Sequence, residues 1–291
     1  MIRFLLISLM LMLPFRAMAI EVLTSIKPLQ LMVNELMLGV DEPLLLVSSN
    51  ASPHDYALKP SDVKKIRQAD LVIWFGQDLE PFLTKLVETQ PNVLTISDIQ
   101  DLPLREYEEG HAHDGHDHGS FDPHFWMGIN IVEQIAPQIT QRLIEIDAEN
   151  TQQYQANLAS FLQRLTVTDE QLRTRLSSVK SAGYFVFHDA YGYFEQHYQL
   201  NNLGYFTVSP ERKPGAKTLI QIRNRLAQGD VKCVFAEPQF TPAVIESVLR
   251  GSDVKKGLLD PIGSEISLAP GSYFEFLLGM GDSFFQCLSV K

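Results

Sequence analysis

Residues 147–180 read DAENTQQYQANLASFLQRLTVTDEQLRTRLSSVK, and their pattern decides the architecture. Neither Gly nor Pro occurs from Gln138 to Ala182. Apolar side chains recur at Tyr154, Leu158, Phe161, Leu165, Leu172, Leu176 and Val179, steps of three, four and seven that draw one stripe along a helix. Asp147 stands where an N-cap belongs. A helix of this length spans about 50 Å at a rise of 1.5 Å per residue. The stripe is too short, and its flanks too globular in pattern, to favour a coiled coil. The expectation is one long rigid helix, 148–180, joining two lobes.

On both sides of it the chain alternates short apolar runs with helical periods. Before it, strands are expected at Glu21–Ile26, Leu44–Val47, Asp70–Phe75 and Asn92–Ile96. Helices are expected at Leu29–Leu38, from a Ser61 cap through Arg67, at Leu79–Val87, and over Gly128–Ile146 with a kink at Pro137. After it, strands fall at Tyr184–Phe187, Gly204–Val208, Val231–Ala236 and Val254–Leu259. The helices between and after them fall at Tyr191–Tyr198, Ala216–Ala227, Thr241–Leu249 and Ser272–Leu288. Continuous apolar strands separated by helices indicate parallel sheets buried on both faces. The fold class is therefore α/β, two lobes with parallel sheets flanked by helices. The divisions are a leader at 1–19, an N-terminal lobe at 20–147, the linking helix at 148–180 and a C-terminal lobe at 181–291.

The leader, MIRFLLISLMLMLPFRAMA, has a basic start at Arg3, an apolar stretch from Phe4 to Phe15 and a small-x-small end at Ala17-Met18-Ala19. That is a secretory signal, too short to span a bilayer. No Cys follows it to carry a lipid, so the product is expected free in an extracytoplasmic space, the periplasm where an outer membrane exists. Cleavage after Ala19 leaves 272 of the 291 residues, and loss of Arg3 and Arg16 takes the formal charge from -11 to -13. An acidic chain is a poor partner for nucleic acid or anionic lipid. Cys233 and Cys287 are the two cysteines. In an oxidising compartment they are read as a disulfide tying a strand to the last helix, since a thiolate metal site needs closer spacing.

Chemistry concentrates between residues 106 and 126, EYEEGHAHDGHDHGSFDPHFW, which holds five of the eight histidines. His111, His113, His116 and His118 sit among Gly and Asp with no apolar period, and no Lys or Arg occurs between Glu106 and Gln141. A His-rich acidic loop at 106–121 reads as an accessory metal-collecting tract, against the plainer reading of a solvated linker. His124 has a folded setting, Asp-Pro-His-Phe-Trp. His54 follows the second strand, His188 ends the first strand of the second lobe, and Asp260 ends its last strand. Ligands of open α/β sheets lie beyond the carboxyl ends of strands, so two facing lobes would bring these residues to one cleft. Three imidazoles with a carboxylate or water make a tetrahedral zinc site, with Asp55, Asp122 or Asp189 available to hold the second ring nitrogens. Plainer roles stand beside each: His188 as a core histidine, His54, Asp122 and Asp260 as turn formers beside proline, Glu237 as a cleft or strand-end residue, and His197 as structural.

Five segments break the tie. ASPHDYALKPSD at 51–62, DPHFWM at 122–127, FHDAYGYF at 187–194, FAEPQF at 235–240 and LDPIG at 259–263 occur in this order across nearly the whole mature chain. Together they make the chain resemble the metal-binding solute-binding proteins of ABC importers, in particular the zinc-uptake branch. The resemblance implies two lobes joined by one long helix with metal between them, and His54, His124 and His188 as ligands. It implies Asp260 or water in fourth place, because Pro53 precedes His54 where an acid would otherwise serve. Cys233 and Cys287 match the disulfide of some zinc members. Manganese and iron relatives carry Glu at the place of His188, and imidazole suits zinc better than harder cations.

The expected function is capture of Zn2+, as cargo, by a monomeric periplasmic protein that passes it to an inner-membrane ABC permease with its cytoplasmic ATPase. It is not an enzyme. The alternatives are a manganese- or iron-binding transport protein of the same family, or a zinc-dependent hydrolase using Glu237 or Asp260 as base. Against the hydrolase, the chain has no H-E-x-x-H and no base paired with a nucleophile.

Overall fold

The computed structural model describes residues 20–49, 51–106, 121–208, 210, 213–240 and 243–289. The leader and the four histidines of the tract lie outside them. The first lobe holds β1 (Val22–Thr24), α1 (Lys27–Met37), β2 (Leu44–Leu45), α2 (Pro60–Gln68), β3 (Leu71–Trp74), α3 (Thr84–Val87) and β4 (Val93–Thr95). The joining region holds α4 (Ile129–Ile146) and α5 (Thr151–Leu176). The second lobe holds β5 (Gly183–His188), α6 (Gly192–Tyr198), β6 (Asn202–Thr207), α7 (Ala216–Leu226), β7 (Val231–Ala236), α8 (Ala243–Leu249), β8 (Lys255–Leu258) and α9 (Ser272–Leu288).

The strands form two parallel four-stranded sheets of the same topology, β2-β1-β3-β4 and β6-β5-β7-β8. In each lobe the first strand is central. The chain runs outward to one side, returns, and builds outward on the other side. The reversal leaves a crevice at the carboxyl ends of β1 and β3, and another at those of β5 and β7. The inner strand β3 is apolar without alternation, as burial on both faces requires: Leu71, Val72, Ile73 and Trp74 are all buried.

The stripe of α5 is buried as its period predicts, through Tyr154, Phe161, Leu165, Leu172 and Leu176. Two polar residues also fall on it, Asn157 and Thr168. Asn157 Nδ2 donates to the Leu36 and Leu38 carbonyls at 3.0 and 2.9 Å, satisfying orphan acceptors at the end of α1. The helix runs over 148–179, close to its expected span, with 26 regular α-helical residues, about 39 Å, between a 3₁₀ turn at each end, Ala148–Asn150 and Ser177–Val179. Asp147 is not its cap. It ends α4, and a 3₁₀ turn, Ala148–Asn150, precedes Thr151. The Asp147 carboxylate instead accepts from Asn150 Nδ2 and Tyr154 Oη at 2.8 Å each. Two other expectations are corrected. α2 starts at Pro60, ahead of Ser61, and its first turn is closed by Lys59 N–H donating to Asp62 at 2.9 Å. Of Leu79–Val87 only the last turn is α-helical, because Pro81 opens a 3₁₀ turn through Leu83.

One apolar core runs without a break from Val22 and Leu71 of the first sheet, through α1, α4 and α5, to Tyr184, Phe235 and Phe284 of the second lobe. Smaller clusters cover the outer faces, one around Leu23, Ile66 and Trp74 and the other around Phe187, Ile222 and Val234. The lobes are also fastened by polar contacts. Glu35, buried in α1, accepts from Gly271 N–H at 2.6 Å at the start of α9 and from Arg164 of α5 at 3.2 Å. An anion there complements the positive end of the α9 dipole. Cys233 of β7 and Cys287 of α9 form the expected disulfide, their Cα atoms 5.9 Å apart. Closing a loop of 54 residues in separation contributes about 4 kcal/mol in the chain-entropy model.

Candidate metal centre

His188 ends β5, at the carboxyl side of the second sheet, and is 3 % exposed. Its Nδ1 lies 2.7 and 2.8 Å from the two oxygens of Glu237, which follows β7. Tyr191 Oη donates to the same carboxylate at 3.1 Å. His124 sits just before a 3₁₀ turn, Phe125–Met127, and is 2 % exposed. Asp122 accepts from the His124 backbone N–H at 3.0 Å and lies 2.7 Å from its Nδ1, so one carboxylate sets both chain and ring. A carboxylate can only accept, which places the proton on Nδ1 of each ring and the lone pair on Nε2. Those two Nε2 atoms face each other at 3.4 Å.

That spacing is informative. Tetrahedral zinc bonds of about 2.05 Å hold ligand nitrogens about 3.3 Å apart. Two lone pairs at this separation repel unless a proton or a metal cation lies between them. His54 closes the third side from the 3₁₀ turn Pro53–Asp55 that follows β2, its N–H donating to Ser52 Oγ at 3.2 Å. The His54 ring centroid is 5.3 Å from that of His124 and 5.9 Å from that of His188. One ligand nitrogen from each of the three lies within 4.8 Å of the others.

The cleft they line has a volume of about 20 Å³, with Pro53, Pro210, Phe240, Pro261 and Ile262 around it. It has room for one ion or water, and none for an organic substrate. Asp260 is not part of the three-imidazole group. One of its oxygens accepts from Gln239 Nε2 at 2.8 Å and Ile262 N–H at 3.2 Å, and the other from Ser264 N–H and Oγ at 2.6 and 2.7 Å. Of the acids expected to hold the rings, Asp122 does so. Asp55 is exposed, and Asp189 pairs with Arg105 at 3.1 Å. Glu237 takes the place expected of Asp189.

Arg105 went unnoticed in the sequence. Its guanidinium joins Asp122 at 2.6 Å to Asp189. Burial disfavours its charge, but Asp189 and Asp122 outweigh that and hold its pKa above the ordinary arginine value. Trp126 makes a further cross-lobe contact. Its Nε1 donates to the Pro261 carbonyl at 2.7 Å, and its own carbonyl accepts from Tyr273 Oη at 2.6 Å.

The model of one family, the zinc-uptake complex component A, periplasmic (ZnuA), matches residues 22–287. The chain belongs to this family. It is 42% identical over 297 residues to the high-affinity zinc uptake system protein ZnuA of Yersinia pestis, covering 94% of this chain and 93% of that one. To the protein of the same name from Haemophilus ducreyi it is 39% identical, covering 92% and 93%. Among solved structures, a crystal structure of ZnuA superposes with a TM-score of 0.80 at 26% identity, over 93% of this chain and 100% of that one. A ZnuA deletion mutant with zinc bound superposes with a TM-score of 0.78 at 26% identity, over 94% and 99%. The family is one of zinc-uptake binding proteins and not of enzymes, and zinc is its cargo. The two acids a hydrolase would need as base are both committed, Glu237 to His188 and Asp260 to its own turn. Among the described residues no helix is long and apolar enough to cross a membrane.

Proposed function

We propose that this chain captures Zn2+ in the periplasm, between its two lobes, and delivers it as a monomer to an ABC permease driven by a cytoplasmic ATPase. His54, His124 and His188 are the ligands. The observation that carries this reading is the pair of imidazoles with Nδ1 fixed on carboxylates and Nε2 atoms 3.4 Å apart, with a third imidazole beside them. Three neutral imidazoles favour zinc over manganese, which prefers carboxylate and water oxygen. Water takes the fourth position, since the oxygens of Asp260 are spent on four hydrogen bonds of its own turn and Gln239. The tract with His111, His113, His116 and His118 serves as a weaker accessory site.

The test is a competitive Zn2+ titration of the mature chain lacking residues 111–119, with excess Mn2+ as challenger. One tight zinc that manganese fails to displace is the expected result, and His188→Ala should abolish it. Loss of tight binding in the shortened parent would move the function to the tract. Ready displacement by manganese would change the cargo.

A further inference from the structure

Arg105 occupies an unusual crossing point. It belongs to the first lobe and is the last residue before the short bridge Glu106–Phe121 that closes the base of the 107–120 segment. Its Nη1 donates to Asp122 Oδ2 at 2.6 Å, while the other Asp122 oxygen holds the His124 ring. Its Nη1 and Nη2 also donate to Asp189 of the second lobe at 3.1 to 3.3 Å, one residue beyond His188. Tyr193 completes the joint: its Oη accepts from Arg105 N–H at 2.9 Å and donates to the Asp122 carbonyl at 2.7 Å. A Cβ at Gly192 would collide with the guanidinium where it now lies and oblige it to leave that position.

Resting on the zinc reading above, we infer that Arg105 is a positioning residue for the metal centre. Through Asp122 it sets His124, through Asp189 it sets the strand end that presents His188, and so it fixes the distance between two ligands from different lobes. A planar guanidinium suits this task because it bonds two carboxylates at once in a fixed geometry, which a lysine ammonium does not. Groups that orient metal-bound histidines typically change affinity by about 10–100-fold when lost. Arg105 acts one bond further out and upon two ligands together.

The full mature chain is prepared metal-free as parent, Arg105→Met, Arg105→Lys, Gly192→Ala, Asp189→Asn, Arg105→Met/Asp189→Asn and His188→Ala. Circular dichroism checks that each is folded. Zn2+ affinity is read against a chelator strong enough to report only the tightest site, release by stopped flow, and site geometry by the visible spectrum of bound Co2+. Arg105→Met should weaken zinc by at least about tenfold, speed its release and alter the Co2+ spectrum. Gly192→Ala, which keeps the charge but evicts the guanidinium, should shift all three the same way, and Arg105→Lys should restore only part. Adding Asp189→Asn to Arg105→Met should cost less than twofold more. Should Arg105→Met fail to fold, Gly192→Ala decides. Zinc binding within twofold of the parent in folded Arg105→Met or Gly192→Ala, with His188→Ala defective, overturns the inference alone. Parent-like binding in His188→Ala removes the zinc reading, and the role of Arg105 with it.

Discussion

At the scale of single residues, the site is set by carboxylates as much as by histidines. Glu237 fixes the tautomer and direction of His188, so Glu237→Gln should lower zinc affinity by about 10–100-fold while leaving the fold intact, as measured by chelator competition and circular dichroism. Two other buried acids predict a pH effect on stability. Glu80 is pushed up to about 7 by burial, against hydrogen bonds from Ser25, Gly76 and Phe75. Glu195 is pushed up to about 7 by burial, against bonds from Asn202 and Tyr184. In the unfolded chain such groups titrate near the ordinary value of 4.5. Between those values the folded state holds the extra proton, so stability falls as pH rises from about 4.5 to about 7 and the loss is complete above it. Each group adds a slope of at most roughly 1.4 kcal/mol per pH unit. Urea unfolding of metal-free Glu80→Gln and Glu195→Gln across pH 5 to 7.5 should show each variant flattening the parental slope.

At the scale of elements, α5 carries the joint. Phe161 is buried on its stripe and packs on Tyr273 and Phe274 of α9, with ring centroids 5.6 and 5.3 Å away. Phe161→Ala should cost about 3–5 kcal/mol in chemical denaturation, because the cavity opens between helices that cannot close on it. This helix was legible from its period alone, and the inner strands from their largely apolar runs. The ends were not, since a 3₁₀ turn before Thr151 and another at Pro81 depend on local hydrogen bonds that periodicity does not encode. His54, His124 and His188 were legible because each follows a strand or opens a turn at the same side of the sheets. The groups that orient them were harder. Glu237 lies 49 residues from His188, and Arg105 lies 17 and 84 residues from its two acids, so no spacing rule links them. Arg105 belongs to no motif, and only the folded chain shows the two acids it joins.

At the scale of the whole molecule, the two lobes share one core, a helix cap from Glu35 to α9 and the Trp126–Pro261 contact. Wide hinge closure would tear apolar surface open, so metal uptake should proceed through small shifts at the His54 turn and the loops around the cleft. Small-angle scattering of apo and zinc-loaded protein should give radii of gyration that agree within about 1 Å, where a wide hinge would give a clear contraction. Thermal unfolding should show one transition for both lobes, and two separated transitions would contradict the continuous core.

The small volume of the cleft has one more consequence. A dissolved divalent ion travels with a shell of water, and a space of about 20 Å³ lined largely by proline, phenylalanine and isoleucine should hold the ion only with most of that shell removed. Magnesium, which gives up its waters reluctantly and keeps several in most of its complexes, should therefore bind there poorly. The apolar rim would thus add a cost of dehydration to the preference that the three imidazoles already express.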